Sequence, residues 1–201
     1  MYTSLPPSRQ VSLLILTGLA LLMTITRFQP LDHFLELPDA SWSVFFIAGF
    51  YLVGMARWAF PALIALSVAI DWVAIQHLGV SNYCVTPAYW FLIPTHAVMW
   101  FGGYWLRQRA SQDWRGLLRL AASAFIASSV AYMISNGGFY WFGGRYPEPN
   151  VAQYLERFAR YYQWFLLVPC AYIGTAALLH VGVQRAVAAT VREDGQRPAN
   201  D

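Results

Sequence analysis

Cys84 is the residue of this chain best suited to chemistry, because a thiolate is both a nucleophile and a ligand for soft metals. It lies in the short connection 79–87, between two long hydrophobic stretches, and the chain has only one other cysteine, Cys170. A thiol beside Tyr83 and near Pro87, outside any apolar run, is compatible with three interpretations. It is an inert small side chain, a metal ligand or a nucleophile.

Four further side chains are candidates for a site with Cys84. Asp71 stands inside a hydrophobic stretch, where a carboxylate is costly and indicates either a functional site or a structural hydrogen bond to another helix. His33 is a possible second metal ligand if it shares a face with Cys84. Tyr89 suits a pocket wall or an interfacial aromatic belt, and Arg157 suits a phosphate, a carboxamide or a lipid headgroup.

The elements that position these residues are predicted to be membrane helices. The chain of 201 residues is 58% hydrophobic and 11% charged, whereas a soluble domain carries about 25% charged residues. The apolar residues fall into blocks near the roughly 20 residues that a bilayer requires. The six predicted spans are 11–28, 41–56, 58–78, 87–106, 116–136 and 158–184.

The arginines predict the orientation of these spans. With a cytoplasmic N-terminus, nine of the 13 arginines fall in cytoplasmic segments and four fall outside, which satisfies the positive-inside rule. Both termini are then cytoplasmic, and Cys84 faces outward. Cys170 lies too deep in the last span for a disulfide with Cys84. We predict a membrane domain over 1–187 with an outward-facing pocket, and a polar, flexible cytoplasmic tail over 188–201.

The connection 136–157 is the longest and has two interpretations. Paired glycines flank the four aromatic residues 139–142. They predict either an aromatic belt at the membrane surface or a lid with glycine hinges over a large flat ligand.

The whole pattern resembles a known group of transporters. A six-span bundle with both ends inside and a pocket on the outer side resembles the S-components of energy-coupling factor (ECF) vitamin transporters. Within that class the segment 82–90 (NYCVTPAYW) resembles the BtuM family of vitamin B12 transporters, with Asp71 before it, Tyr89 within it and Arg157 opening the last span.

The resemblance implies a multi-pass protein of the bacterial inner membrane that binds cobalamin from outside. Cys84 would ligate the cobalt on one axial side and His33 on the other. Asp71, Tyr89 and Arg157 would contact the corrin side chains or the nucleotide tail. The thiolate of Cys84 could also displace an upper cyano ligand, which would make the protein a thiol-dependent enzyme as well as a carrier.

The partners implied are cobalamin, the lipid bilayer and an ECF energising module. Docking to such a module would use a face of small residues. The first span offers only Ala20 and Thr24 for it, whereas Ala65 and Ala69 in the third span fit that pattern. The alternative is that the protein acts without the module. The net charge of +3 is scattered over helix ends and does not indicate nucleic-acid binding.

Two other functions are compatible with the residues. One is an integral membrane haem- or metal-handling protein or enzyme that uses Cys84 with His33, Asp71 or His96. The other is an assembly subunit without a small-molecule ligand. No Walker motif or CxxC pair is present, so we expect no ATP hydrolysis by the chain itself.

Overall fold

The computed structural model describes residues 8–27, 37–111 and 113–196, and for Cys84 and residues 191–196 it describes the backbone only. Within these ranges the protein is helical and contains no strand, as predicted. The α-helices are α1 (Arg9–Arg27), α2 (Ser41–Tyr51), α3 (Ala56–His77), α4 (Leu92–Gln108), α5 (Trp114–Phe142) and α6 (Val151–Gln196). Short 3₁₀-helices cover Val53–Met55, Asn82–Cys84 and Pro87–Phe91.

Four helical segments are long and apolar enough to cross a membrane, which supports a multi-pass membrane protein. They are Arg9–Arg27, Val53–His77, Trp114–Phe142 and Val151–Thr190. Helix α4 is shorter, with 17 residues, and α2 has only 11. At 1.5 Å per residue α2 is about 17 Å long, roughly half of the 30 Å hydrocarbon core.

Helix α2 is apolar because it lies inside the bundle. Seven of its residues are buried, and the helix is hydrophobic on all sides, as expected for a helix without a solvent or lipid face. It packs closely against α4. A Cβ atom on Gly49 would overlap the carbonyl oxygen of Trp100, and one on Gly103 would overlap the carbonyl oxygen of Phe46. The apolar block predicted as a second span therefore contains a short central helix that serves as core.

The connection between α5 and α6 is shorter than predicted. Helix α5 continues to Phe142, so residues 136–142 are helical and only 143–150 connect it to α6. Gly138 is a packing residue and not a lid hinge, since a Cβ atom there would lie 2.5 Å from Cγ of the Phe91 ring. Gly144 has a φ of 66°, a conformation that favours glycine, at the turn itself.

Helix α6 is longer than the predicted span. Its 46 residues correspond to about 69 Å, more than twice the hydrocarbon core. The helix continues through 188–196, which we had assigned to a flexible tail.

Candidate functional site

One end of the bundle holds a cavity of about 380 Å³. Helices α1, α3 and α5 end there, and α4 and α6 begin there. The volume lies in the usual range for small-molecule sites, about 300–1,000 Å³. The lining residues are Arg27, Asp71, Tyr83, Ala88, Tyr89, Phe91, Leu92, Thr95, His96, Tyr132, Ser135, Asn136, Phe139, Arg157, Tyr161 and Phe165.

Three of the five predicted site residues line this cavity, although they are far apart in the sequence. Asp71 comes from α3, Tyr89 from the 3₁₀-helix before α4, and Arg157 from the first turns of α6. Cys84 ends the 3₁₀-helix Asn82–Cys84, and its side chain lies outside the described part of the chain. His33 also lies outside the described residues.

The 3₁₀-helix that ends at Cys84 is fixed to the cavity through Tyr83. The hydroxyl of Ser81 accepts a hydrogen bond from the Tyr83 N–H at 3.2 Å. Arg145 donates to the Tyr83 carbonyl at 3.0 Å and places its guanidinium 4.7 Å from the centre of the Tyr83 ring. The same ring lies 5.7 Å from the Phe139 ring. Because Tyr83 lines the cavity, the backbone of Cys84 lies next to a wall residue.

A group that we call the Arg27 network forms one wall of the cavity. Arg27 donates from Nε and Nη2 to the two carboxylate oxygens of Asp71, both at 2.7 Å. Its Nη1 donates to Asp39 at 3.0 Å and to the Ser41 hydroxyl at 3.1 Å. Tyr89 donates its hydroxyl proton to Asp71 at 2.7 Å. The bidentate, charge-assisted pair of Arg27 and Asp71 is both strong and directional.

The Arg27 network joins the end of α1, the start of α2, helix α3 and the segment before α4. Asp71 is engaged by both Arg27 and Tyr89 in this arrangement. The structural interpretation of Asp71, a hydrogen bond to a neighbouring helix, is therefore realised. Sequence reasoning missed Arg27, which entered only as one of the outer charges. A carboxylate buried in a span requires a partner, and that requirement was the available signal.

Arg157 also lines the cavity, in an environment different from that of Arg27. Its guanidinium lies 5.6 Å from the ring centre of Phe139, 5.6 Å from that of Tyr146 and 5.3 Å from that of Tyr161. Its Nε is buried and has no hydrogen-bond partner in the ranges that the structure describes. Among the described residues no carboxylate forms a salt bridge with it. The aromatic faces attract the cation but leave its donors unused.

His96 contributes an unpaired acceptor from α4. Its side chain is 2% exposed, and Nδ1 lies 2.7 Å from the carbonyl oxygen of Leu92. A carbonyl only accepts, so the proton is assigned to Nδ1 and Nε2 carries a lone pair. Nε2 is buried and has no hydrogen-bond partner within the described part of the chain. The Phe45 ring, 4.1 Å away edge to face, supports the imidazole from the core side.

Asn136 contributes a second unpaired acceptor from α5. The Tyr132 hydroxyl donates to the Phe158 carbonyl at 3.1 Å, so it can only accept from Asn136, whose Nδ2 lies 2.9 Å away. This bond fixes the amide orientation and leaves Oδ1 buried, with no partner among the residues that the structure describes. Asn136 is 9% exposed. The sequence predicts that Asn136 belongs to the connection 136–157, so sequence reasoning does not select it for the site.

No protein-family model matches this chain, and no curated protein matches it. Within the described part of the chain, no group of three or more His, Cys, Asp or Glu side chains is arranged to hold a metal ion. The function therefore has to be argued from the cavity and from the position of Cys84 beside it.

Proposed function

We propose that this protein is a BtuM-like uptake protein of the bacterial inner membrane that binds cobalamin. The observation that carries the proposal is the cavity at one end of the bundle. It brings together Asp71, Tyr89 and Arg157, and it lies beside the 3₁₀-helix that ends at Cys84.

The lining of the cavity suits the surface of a corrinoid. A corrin ring is flat and apolar on its faces and carries amide side chains at its edge. Aromatic side chains supply the apolar contacts, and His96, Asn136 and Arg157 supply unpaired polar atoms. A corrinoid is larger than the cavity, whose volume is about 380 Å³. One edge of the corrin ring therefore enters the cavity, and the cobalt stays nearer to the Cys84 helix than that edge does.

In this arrangement Asp71 supports the site indirectly. Its carboxylate holds Tyr89 and Arg27 in place, and direct contact with the ligand is left to Arg157 and to the aromatic rings. The orientation follows from the arginine distribution: the chain crosses the membrane six times, with both termini cytoplasmic and the cavity facing outward.

The proposed chemistry is a ligand exchange at cobalt. The thiol of Cys84 loses its proton to water, and the thiolate forms a bond to Co(III) as the bond from cobalt to cyanide breaks. Cyanide leaves with the bonding electron pair, and the oxidation state of cobalt does not change. Thiolate is a suitable donor because its soft sulfur binds easily polarised metal centres.

A spectroscopic experiment tests the proposal. Purified wild type, Cys84→Ser and Cys170→Ser are each mixed with cyanocobalamin, and the visible spectrum and the bound corrinoid are measured. We expect wild type and Cys170→Ser to bind and to lose the cyano spectrum, and Cys84→Ser to retain it. A cyano spectrum that stays unchanged with wild type contradicts the exchange. Absence of binding contradicts the proposed function.

Growth separates transport from binding. The gene is expressed in a cobalamin-dependent host that lacks its own cobalamin transporter and any ECF module. Rescue by wild type indicates uptake without an energising partner. Rescue only when a module is supplied indicates that the partner is required.

One observation favours a second candidate, a haem-binding membrane protein. The unpaired Nε2 of His96 is an imidazole lone pair among aromatic side chains in a cavity, which suits an axial ligand of haem iron. A Soret band in the purified protein that disappears in His96→Asn would support it. A corrinoid spectrum without a Soret band supports cobalamin.

A further inference from the structure

Three buried polar atoms have no hydrogen-bond partner among the described residues and belong to side chains that line one cavity. They are Nε2 of His96 on α4, Oδ1 of Asn136 on α5 and Nε of Arg157 on α6. All three side chains line the cavity, and each of these atoms is buried. A buried polar atom without a partner destabilises the protein because its lost hydrogen bond to water is not replaced. Three of them in one place indicate a ligand group that completes their hydrogen bonds.

The chemical types of these atoms define the group. His96 and Asn136 each present an acceptor, because their donors are bonded to Leu92 and Tyr132 respectively. Arg157 presents a donor. The complementary group therefore has two N–H or O–H donors and one acceptor, which is the set carried by a primary carboxamide.

The charges on the wall select a neutral group. The charge of Arg27 is compensated by Asp71 and Asp39, whereas Arg157 has no anionic partner among the described residues. The uncompensated guanidinium disfavours an ammonium group. A carboxylate would be attracted to Arg157, but it would turn lone pairs toward the acceptors of His96 and Asn136 and would have to be desolvated.

We infer that the inner part of the cavity is a subsite for one uncharged primary carboxamide of the ligand. Its N–H groups donate to His96 and Asn136, and its carbonyl accepts from Arg157. The inference rests on the proposed function, because cobalamin carries such amides at the edge of its ring, and it adds a requirement for the amide form over the acid form at one position.

The test compares cobalamin with its three monocarboxylic acids, in each of which one propionamide is hydrolysed. Affinities for purified wild-type protein are measured by titration. We expect one of the three acids to bind about 10- to 100-fold more weakly than cobalamin, the effect of one unsatisfied buried group. Equal affinity for all four compounds overturns the subsite and leaves the proposed function standing. Failure of all four to bind overturns both.

Variants test whether the acceptors of His96 and Asn136 cause the preference for the amide over the acid. Asn136→Leu removes an acceptor at nearly constant size. His96→Asn removes the acceptor at the Nε2 position, because the shorter amide does not reach it, and His96→Gln retains an acceptor near that position. We expect the ratio of amide to acid affinity to fall toward one in Asn136→Leu and His96→Asn and to persist in His96→Gln. The ratio does not depend on the fraction of folded protein. If His96→Asn instead changes the cobalt absorption spectrum, Nε2 ligates the metal and the amide subsite is wrong.

Discussion

The two walls of the cavity use arginine in opposite ways. Arg27 is paired with Asp71 and Asp39 and joins four segments of the chain. Arg157 lies among three aromatic rings with its Nε unpaired. We call the wall of His96, Asn136 and Arg157 the unpaired wall. The comparison separates residues that hold the helices together from residues left available to a ligand.

This difference changes how buried charge is interpreted in a membrane bundle. An intramembrane carboxylate suggests a binding site, yet Asp71 makes its hydrogen bonds within the protein. The buried polar atoms of the cavity lining that lack a partner among the described residues belong instead to His96, Asn136 and Arg157. Substitutions on the Arg27 network should therefore reduce stability, and those on the unpaired wall should reduce affinity.

The largest expected effect follows from Asp71→Asn. The substitution leaves the Arg27 guanidinium, only 15% exposed, without its main partner, and breaking a buried pair costs about 3 kcal/mol or more. Thermal unfolding in detergent should show a markedly lower midpoint. Glu156→Gln is the control, because its pair with Arg160 is 71% and 63% exposed and is worth less than about 1 kcal/mol. Equal midpoints for the two variants would contradict a structural role for the Arg27 network.

Gly138→Ala should have the next largest effect. The added methyl group meets the Phe91 ring, which also lines the cavity, and overpacking costs about 1–3 kcal/mol. Gly174→Ala is the matched control, since no atom lies within 4 Å of its Cβ position. Thermal unfolding of both variants measures the difference. A fully stable Gly138→Ala variant would favour the hinged loop over the helix that ends at Phe142.

Arg157→Gln should reduce affinity without reducing stability. The variant removes a partly buried cation that has no anionic partner among the described residues, so the unfolding midpoint should change little. Cobalamin affinity should fall by about tenfold, equivalent to about 1.4 kcal/mol. Arg160→Gln, one helical turn away and exposed, should change neither quantity. Loss of stability without loss of affinity in Arg157→Gln would place Arg157 with the structural residues.

The smallest expected effect is on stability at acidic pH, and it comes from Asp113 at the end of the bundle opposite to the cavity. Hydrogen bonds from the Ser111 hydroxyl and the Gly116 N–H lower the pKa of Asp113, which caps α5. Its contribution to stability is present above the ordinary pKa and is lost as the pH falls through the lowered pKa. Unfolding midpoints measured below about pH 4 should fall slightly in wild type and less in Asp113→Asn. An identical acid response would contradict the assigned cap.

The sequence was sufficient for the helical class, for the apolar segments and for three residues of the cavity wall. Asp71, Tyr89 and Arg157 could be selected because polar groups near or within apolar blocks are conspicuous. The role of Asp71 could not be derived, since its partner Arg27 lies 44 positions away and only packing brings them together. The sequence alone could not separate a lipid-facing span from a buried helix such as α2, because burial inside a bundle and exposure to lipid favour the same residue types.

His96 and Asn136 show why the unpaired wall was harder to predict. A polar atom is unpaired when no hydrogen-bond partner lies near it, and the tertiary structure determines which groups lie near it. Asn136 precedes two glycines, which favour a loop in sequence reasoning, whereas Gly138 makes room for Phe91 within α5.

A structure of the wild-type protein with cobalamin bound tests the division between the two walls most directly. We predict that the ligand contacts His96, Asn136 and Arg157, that the cobalt lies within bonding distance of the Cys84 sulfur, and that Arg27 keeps its two bonds to Asp71. A ligand that displaces Arg27 and binds Asp71, while the three atoms of the unpaired wall stay without partners, would contradict it.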